Sequence, residues 1–234
     1  MIGAQLPLGL RLPATSRFDN YVAGANREAV AAVEQLARGN SAGTVFLAAA
    51  TGLGKTHLLQ AACRAVEAAG DRSAYVPLRT LVEFDPAALE GLEHYALLAI
   101  DDVEAIAGRA AWEEALFHLY NRQRDAGGRL IGAASAPPEH LGLQLADLRT
   151  RLAWGGVYAL QPVDDAVRLR ILGLRARERG LELPDETAQF LLRRCPRDLP
   201  ALLGLLERLD QAALASQRRL TVPFVRDVLG GELG

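Results

Sequence analysis

AAATGLGKTHLL, residues 48–59, holds the only lysine of a 234-residue chain, Lys55, among 26 Lys and Arg residues. Arginine fills every other basic position, as a strong compositional bias would produce. A lysine kept here points to chemistry that arginine cannot do. The stretch follows the apolar run TVFLAA (44–49) and opens a helical pattern over 56–69. A strand, a glycine-rich turn and a helix beginning with Lys-Thr form the context of a phosphate-binding loop. Backbone N–H groups of Gly52, Leu53, Gly54, Lys55 and Thr56 would face phosphate oxygens at a helix N-terminus. A compact ammonium fits between the β- and γ-phosphates where a planar guanidinium is too bulky, and the Thr56 hydroxyl would ligate Mg2+. The full pattern GxxxxGK[ST] asks for Gly at position 49, where this chain has Ala49. An ordinary glycine turn before a helix is the competing description; the unique lysine and the flanking elements weigh against it.

A second acidic element lies downstream in LLAIDDVEAI. A buried strand ending in Asp101 and Asp102 would put one carboxylate at the metal, beside Thr56, and the other beside an attacking water. Asp102 is one methylene shorter than the Glu common at such positions, so slow intrinsic hydrolysis is expected. A solvated loop with two Asp residues is the alternative.

Further apolar runs predict strands at 73–78, 95–101, 129–134 and 156–161, and helical patterns fall at 110–125 and 144–154. The first four strands are too apolar to alternate, as expected of strands covered on both faces. Strands alternating with helices predict an α/β fold with a parallel sheet. Asn26 is expected to cap a helix running to about residue 38. After Pro162 only helical patterns remain, at 164–179, 184–194, 198–216 and 223–229. The expected organisation is therefore an arm over 1–17, an α/β nucleotide-binding domain over 18–162 and an all-helical domain over 163–234. Residues 1–25, with Pro7, Gly9, Pro13 and Gly24, are expected to be extended and flexible.

Bulk composition narrows the function classes. A hydrophobic fraction of 50% suits a real core, and a net charge of −2 argues against a strongly basic, self-sufficient nucleic-acid binder. Cys63 and Cys195 lie far apart without ligand spacing, so neither a disulfide framework nor a metal cluster is expected. The N-terminus lacks the charged region of a signal peptide, and no apolar run reaches the ~20 residues of a membrane span. A cytoplasmic protein with no membrane contact is expected.

Taken together, TGLGKTHLLQAA, YALLAIDDVEAI, ASAPPEHL, LRTRLAWGGVYALQP and RRLTVPFVRDVL resemble the AAA+ module of the bacterial initiator DnaA and its shorter Hda-type relatives, the regulatory inactivators of DnaA. The resemblance spans essentially the whole chain. It implies a P-loop AAA+ α/β domain with a small helical lid, binding ADP or ATP with Mg2+. The implied nucleotide contacts are Tyr21 and Val22 in FDNYVAG, bordering the adenine, then Gly52, Leu53, Gly54, Lys55, Thr56 and His57. Ser135 would stand at the first sensor position, where the family often has Asp, and Arg197 at the second. Arg151 in LRTRL would be an arginine finger entering a neighbouring subunit's nucleotide site, with Asp101 and Asp102 as the acidic pair. Arg149, two residues away on a helix, cannot share its direction.

QLPLGL resembles the hexapeptide with which bacterial partners dock on the sliding clamp, the β subunit of DNA polymerase III. Gln5 would make polar contacts and Leu6, Leu8 and Leu10 would fill apolar pockets; leucines folded back on the body are the alternative. The resemblance implies a negative regulator that binds the DNA-loaded clamp and stimulates hydrolysis of DnaA-bound ATP, with DnaA as partner and possible self-association. DnaA's C-terminal helix-turn-helix has no counterpart after VRDVLGGELG, so no direct sequence-specific DNA binding is expected. The rival descriptions are a DNA-stimulated ATPase or helicase loader, and a DnaA-like assembly subunit.

Overall fold

The computed structural model describes residues 16–195 and 198–230. They fall into two compact units that divide between Gln161 and Pro162.

In the first unit, β1 (Thr44–Ala48), β2 (Ser73–Pro77), β3 (Leu97–Asp101), β4 (Arg129–Ala134) and β5 (Gly156–Ala159) form one sheet in the order β2-β3-β4-β1-β5. Every pairing is parallel. β1 and β3 are buried throughout, and β4 along all but its first residue, because helices cover both sides of the sheet. The outer strands differ: β5 alternates between half-buried and exposed residues, since an edge strand has one neighbour and little cover.

Alternation along each strand sorts side chains into two cores. Val45, Leu47, Leu97, Ala99, Ile131 and Ala133 pack with α1 (Arg27–Ala37) and α2 (Lys55–Ala68). Phe46, Leu98, Ile100, Leu130 and Ala134 face the opposite way, toward α4 (Ala110–Asp125) and α5 (Ala146–Ala153). Phe46 pairs with Gly132 across β1 and β4, and a Cβ at Gly132 would lie 2.7 Å from the Phe46 ring. Glycine makes room there for the largest fully buried side chain of the sheet.

Three local expectations change. Residues 16–26 are not an extended arm: Phe18–Asn20 and Gly24–Asn26 are short 3-10 turns. Buried Ser16 donates to Gln60 on α2 at 2.8 Å, and Phe18 joins the core beneath. Asn26 stands at the head of α1 without capping it. Its amide instead donates to the Gln161 carbonyl at 3.0 Å and accepts from the Gln161 N–H at 2.7 Å, tying α1 to the chain beyond β5. Between β2 and β3, where no element was expected, α3 (Leu78–Leu81) is followed by 3-10 turns at Pro86–Leu89 and Leu92–His94. They are too short for helical periodicity to show; Asp85 caps the first of them through the Ala87 N–H.

The second unit consists, among the described residues, of α6 (Asp165–Glu178), α7 (Asp185–Arg194), α8 (Leu199–Ser216) and α9 (Val222–Leu229). Asp164, Asp198 and Thr221 accept from the first turns of α6, α8 and α9. Leu172, Phe190, Leu191, Leu206, Leu209 and Phe224 fill its own core. The chain is thus an α/β domain with a five-stranded parallel sheet, followed by a helical lid. Among the described residues, no helix is long and apolar enough to cross a membrane.

Candidate functional site

At the carboxyl ends of β1, β3 and β4 the chain builds one compact polar cluster. The turn between β1 and α2 needs its glycines: Gly52 and Gly54 both have φ of +86°, a conformation costly for side chains other than glycine. Gly54 is doubly fixed, because a Cβ there would lie 2.6 Å from the Tyr21 ring. Ala49 needs no such freedom. Among the described residues only Asp102 and Gln217 combine a side chain with positive φ. The Ala49 N–H bonds the Ala134 carbonyl at 3.0 Å, and its side chain joins the core. The departure from the glycine pattern therefore leaves the loop intact.

Lys55 opens α2 and is only 9% exposed. Its ammonium donates to the Ala49 carbonyl at 2.5 Å and the Ala50 carbonyl at 3.2 Å, so it is folded over the loop that it closes. No side chain caps the α2 N-terminus, which leaves the positive end of the helix to an anion. Thr56 donates to Asp101 Oδ2 at 2.6 Å, bringing together the two residues expected at a metal. Asp101 is 2% exposed and also accepts from Tyr75 at 2.9 Å and from the Asp102 N–H at 3.0 Å. Burial, and next the Asp101 charge, push the Tyr75 phenol well above its ordinary range, so it remains a donor.

Asp102 sits in the left-handed region at φ 55°, which Asp tolerates better than most residues. Arg79 grips its carboxylate with two hydrogen bonds, Nε to Oδ2 at 3.1 Å and Nη2 to Oδ1 at 3.3 Å. The hydrogen bond to Asp102 is the main cause holding the Arg79 pKa above its usual value. Neither Tyr75 nor Arg79 was singled out from the sequence, since nothing in the spacing links β2 or α3 to the acidic pair.

Tyr21 donates to the Leu53 carbonyl at 3.2 Å and packs against His57, with ring centroids 5.5 Å apart. Burial pushes its phenol up to about 12. His57 also meets the Arg17 carbonyl at 2.9 Å. Val22 is half-buried beside Tyr21. Ser135 lies just past β4, exposed, with its N–H bonded to Glu104 at 3.3 Å.

The structure separates Arg151 from this cluster's polar network. On α5, Leu148 and Leu152 are buried, Arg149 donates to the Leu143 carbonyl at 2.5 Å, and Arg151 lies over Trp154 at 3.9 Å. Arg151 has no carboxylate partner among the described residues, and its Nη1 is buried without a hydrogen bond. The other candidates, Arg197 and the arm residues Gln5, Leu6, Leu8 and Leu10, lie outside the described residues.

The residues present suit a nucleoside phosphate with Mg2+. The loop offers an ammonium and an uncapped helix end, and Thr56 with Asp101 supplies a hydroxyl and a carboxylate. Among the described residues no group of three or more His, Cys, Asp or Glu could hold a metal by itself.

Known proteins carry the same architecture. The family model for the bacterial DnaA ATPase domain matches residues 12–84 and 86–159, and the model for the Hda lid domain matches residues 165–229. Domain III of the Thermotoga maritima replication initiation protein DnaA is 25% identical and superimposes with a TM-score of 0.82, covering 95% of this chain and 98% of that one. AMPPCP-bound DnaA from Aquifex aeolicus is 23% identical, with a TM-score of 0.72 over 89% of this chain and 69% of that one. The Thermotoga maritima RuvB Holliday junction branch migration motor shares the fold, at 18% identity and a TM-score of 0.70 over 94% and 72% of the two chains. The chain belongs to the bacterial DnaA ATPase-domain family and, with its Hda-type lid, is a DnaA-related AAA+ protein.

Proposed function

We propose that this protein is a negative regulator of replication initiation that stimulates hydrolysis of ATP bound to DnaA. The observation that carries this reading is the state of Arg151. Its guanidinium is not spent on any carboxylate among the described residues, whereas Arg149, two residues before it, donates to the Leu143 carbonyl. A long cationic side chain without a local acceptor suits delivery to a neighbour's phosphates. An arginine supplied in trans is worth about 10³–10⁵ in rate in other nucleotidases.

ADP or ATP with Mg2+ would sit at the phosphate loop and supply the charge around which loop, α2 and β3 are arranged. The N–H groups of 52–56 bind phosphate oxygens, Lys55 turns from Ala49 and Ala50 to the phosphates, and Thr56 with Asp101 holds the metal side. Tyr21 and Val22 border the base, and Ser135 and Arg197 act as the sensor residues. Asp102, gripped by Arg79, is poorly placed to activate water, which favours slow turnover of the protein's own nucleotide.

The arm would recruit the protein to the DNA-loaded sliding clamp. Gln5 makes the polar contacts, and Leu6, Leu8 and Leu10 bring apolar area worth about 1.5–3 kcal/mol for each leucine fully buried. Docking there concentrates Arg151 near DnaA.

The test is hydrolysis of ATP already bound to DnaA, mixed with this protein, ADP and clamp loaded on DNA. Acceleration is expected, lost in Arg151→Ala and lost separately in Leu8→Ala with Leu10→Ala. No acceleration, with the protein itself consuming ATP once DNA is added, would replace this reading with a DNA-stimulated ATPase or helicase loader.

A further inference from the structure

Trp154 is 60% exposed, so much of its ring faces water. The chain has one other tryptophan, Trp112, which is buried in the core between sheet and helices. What Trp154 does with its exposed ring is hold a cation: the Arg151 guanidinium carbon lies 3.9 Å from the ring centroid. That is well inside the ~6 Å within which a cation is attracted to an aromatic face. Arg124 approaches the same ring only to 5.8 Å and is paired with Asp125 at 3.1 Å, so Arg151 is the better placed of the two cations.

The backbone that carries the ring is anchored. The Trp154 N–H bonds the Arg151 carbonyl at 3.2 Å, closing the end of α5. Immediately after it, Gly155 is pressed so closely on β1 that a Cβ would lie 1.7 Å from the Thr44 carbonyl oxygen. Gly156 then enters β5 opposite Val45. Trp154 therefore stands between a helix end and a strand start, while Arg151 is a half-buried side chain whose length gives it several rotors.

We propose that Trp154 is a positioning residue, a fixed aromatic platform that preorganises Arg151 for entry into the partner's nucleotide site. The proposal rests on the reading of Arg151 as an arginine finger. Stacking on one face restricts the rotors before the encounter. Arg151 Nη1 is buried without an acceptor, which leaves Nε and Nη2 as the in-plane donors for phosphate oxygens. A platform of this kind acts on turnover within the complex more than on its formation, because its contact is with the finger and not with the partner.

The experiment combines two readouts on the full chain. In the free protein, Trp154 emission is obtained as the difference between the parent and Trp154→Phe, which retains Trp112 alone. In an Arg151→Ala background the same difference is expected to move to longer wavelength as the ring face becomes hydrated. An unchanged Trp154 spectrum would overturn the stacking. In the DnaA-bound ATP assay, Trp154→Ala is expected to lower the maximal rate roughly 3- to 30-fold, the range set by cation–π attraction. The concentration of this protein giving half-maximal effect stays the same, and Trp154→Phe restores most of the rate. A rise in that concentration with unchanged maximal rate would make Trp154 a docking contact and overturn the platform. Full activity of Trp154→Ala alongside an inactive Arg151→Ala would sink the platform while sparing the finger. Full activity of Arg151→Ala would remove both.

Discussion

Thr56 and Asp101 are joined by a 2.6 Å hydrogen bond, which fastens the first turn of α2 to the last residue of β3. The two residues come from separate strand-helix units, and only the sheet order brings them together. Asp101→Asn should remove the carboxylate charge with little change in shape. Nucleotide binding in Asp101→Asn is expected to be nearly the same with Mg2+ as with EDTA, while the parent binds more tightly with Mg2+. Titration with a fluorescent ADP analogue in both buffers checks this, and a preserved metal effect would remove Asp101 from the metal side.

Lys55 is enclosed by the loop that it closes, 9% exposed, with its ammonium on the Ala49 and Ala50 carbonyls. Arginine keeps the charge but not the compact head that this space admits. Lys55→Arg is therefore expected to lower nucleotide affinity by ~100-fold or more, equivalent to about 2.7 kcal/mol or more of binding free energy. Calorimetric titration with ADP is the measurement, and unchanged affinity would refute the account of the lone lysine.

Gly132 makes room for Phe46. Alanine would place a Cβ 2.7 Å from that buried ring, with β1 and β4 held by their ladder on either side. Gly132→Ala should destabilise the α/β unit by about 1–3 kcal/mol, as overpacking does. A thermal midpoint unchanged within error would show that Phe46 can move aside at no cost.

Asn26 separates capping from cross-linking. Its side chain spans to both backbone groups of Gln161 and does not cap α1. Asn26→Asp keeps a good capping residue but cannot donate to the Gln161 carbonyl. It is expected to cost about 1–3 kcal/mol, as for a buried acceptor left unsatisfied. Wild-type stability of Asn26→Asp in a urea titration would restore the capping role.

Cys63 is fully buried, and burial is the chief cause pushing its thiol up to about 12. The reactive form is the thiolate, which is scarce at pH 8 when the pKa lies this far above it. Raising the pH toward 12 should increase the labelling rate. At pH 8 the native protein is expected to leave Cys63 unmodified by iodoacetamide over an hour, as read by peptide mass. Rapid labelling of the folded protein would contradict the packing of α2 against the sheet.

Much of this architecture is written locally. Strand β4 and helix α4 occupy the residues that apolar runs and helical period predict, and the remaining strands and long helices differ by a few residues at their ends. The glycine turn between β1 and α2 is legible because its parts lie within one strand-turn-helix segment, and because the glycines at 52 and 54 answer a backbone need that no other residue meets cheaply. Two of the three changed expectations concern a side chain whose partner lies far along the chain. Asn26 has the composition of a cap, but its partner Gln161 lies across the unit. Residues 16–26 have the composition of a loose arm, yet Ser16 and Phe18 are bound to the α2 side of the sheet.

The sequence by itself determined the strands, the long helices, the glycine turn between β1 and α2 and the change to an all-helical second unit, because these follow from periodicity, apolar runs and turn residues within short windows. Only the tertiary structure decided which groups the site's side chains meet. Placing β2 beside β3 puts Tyr75 against Asp101, and the turn into α3 brings Arg79 to Asp102. The end of α5 sets Trp154 against Arg151, just before Gly155 comes close to β1. Such contacts join residues with no common period, and their energies exist only once the strand order has set the distances.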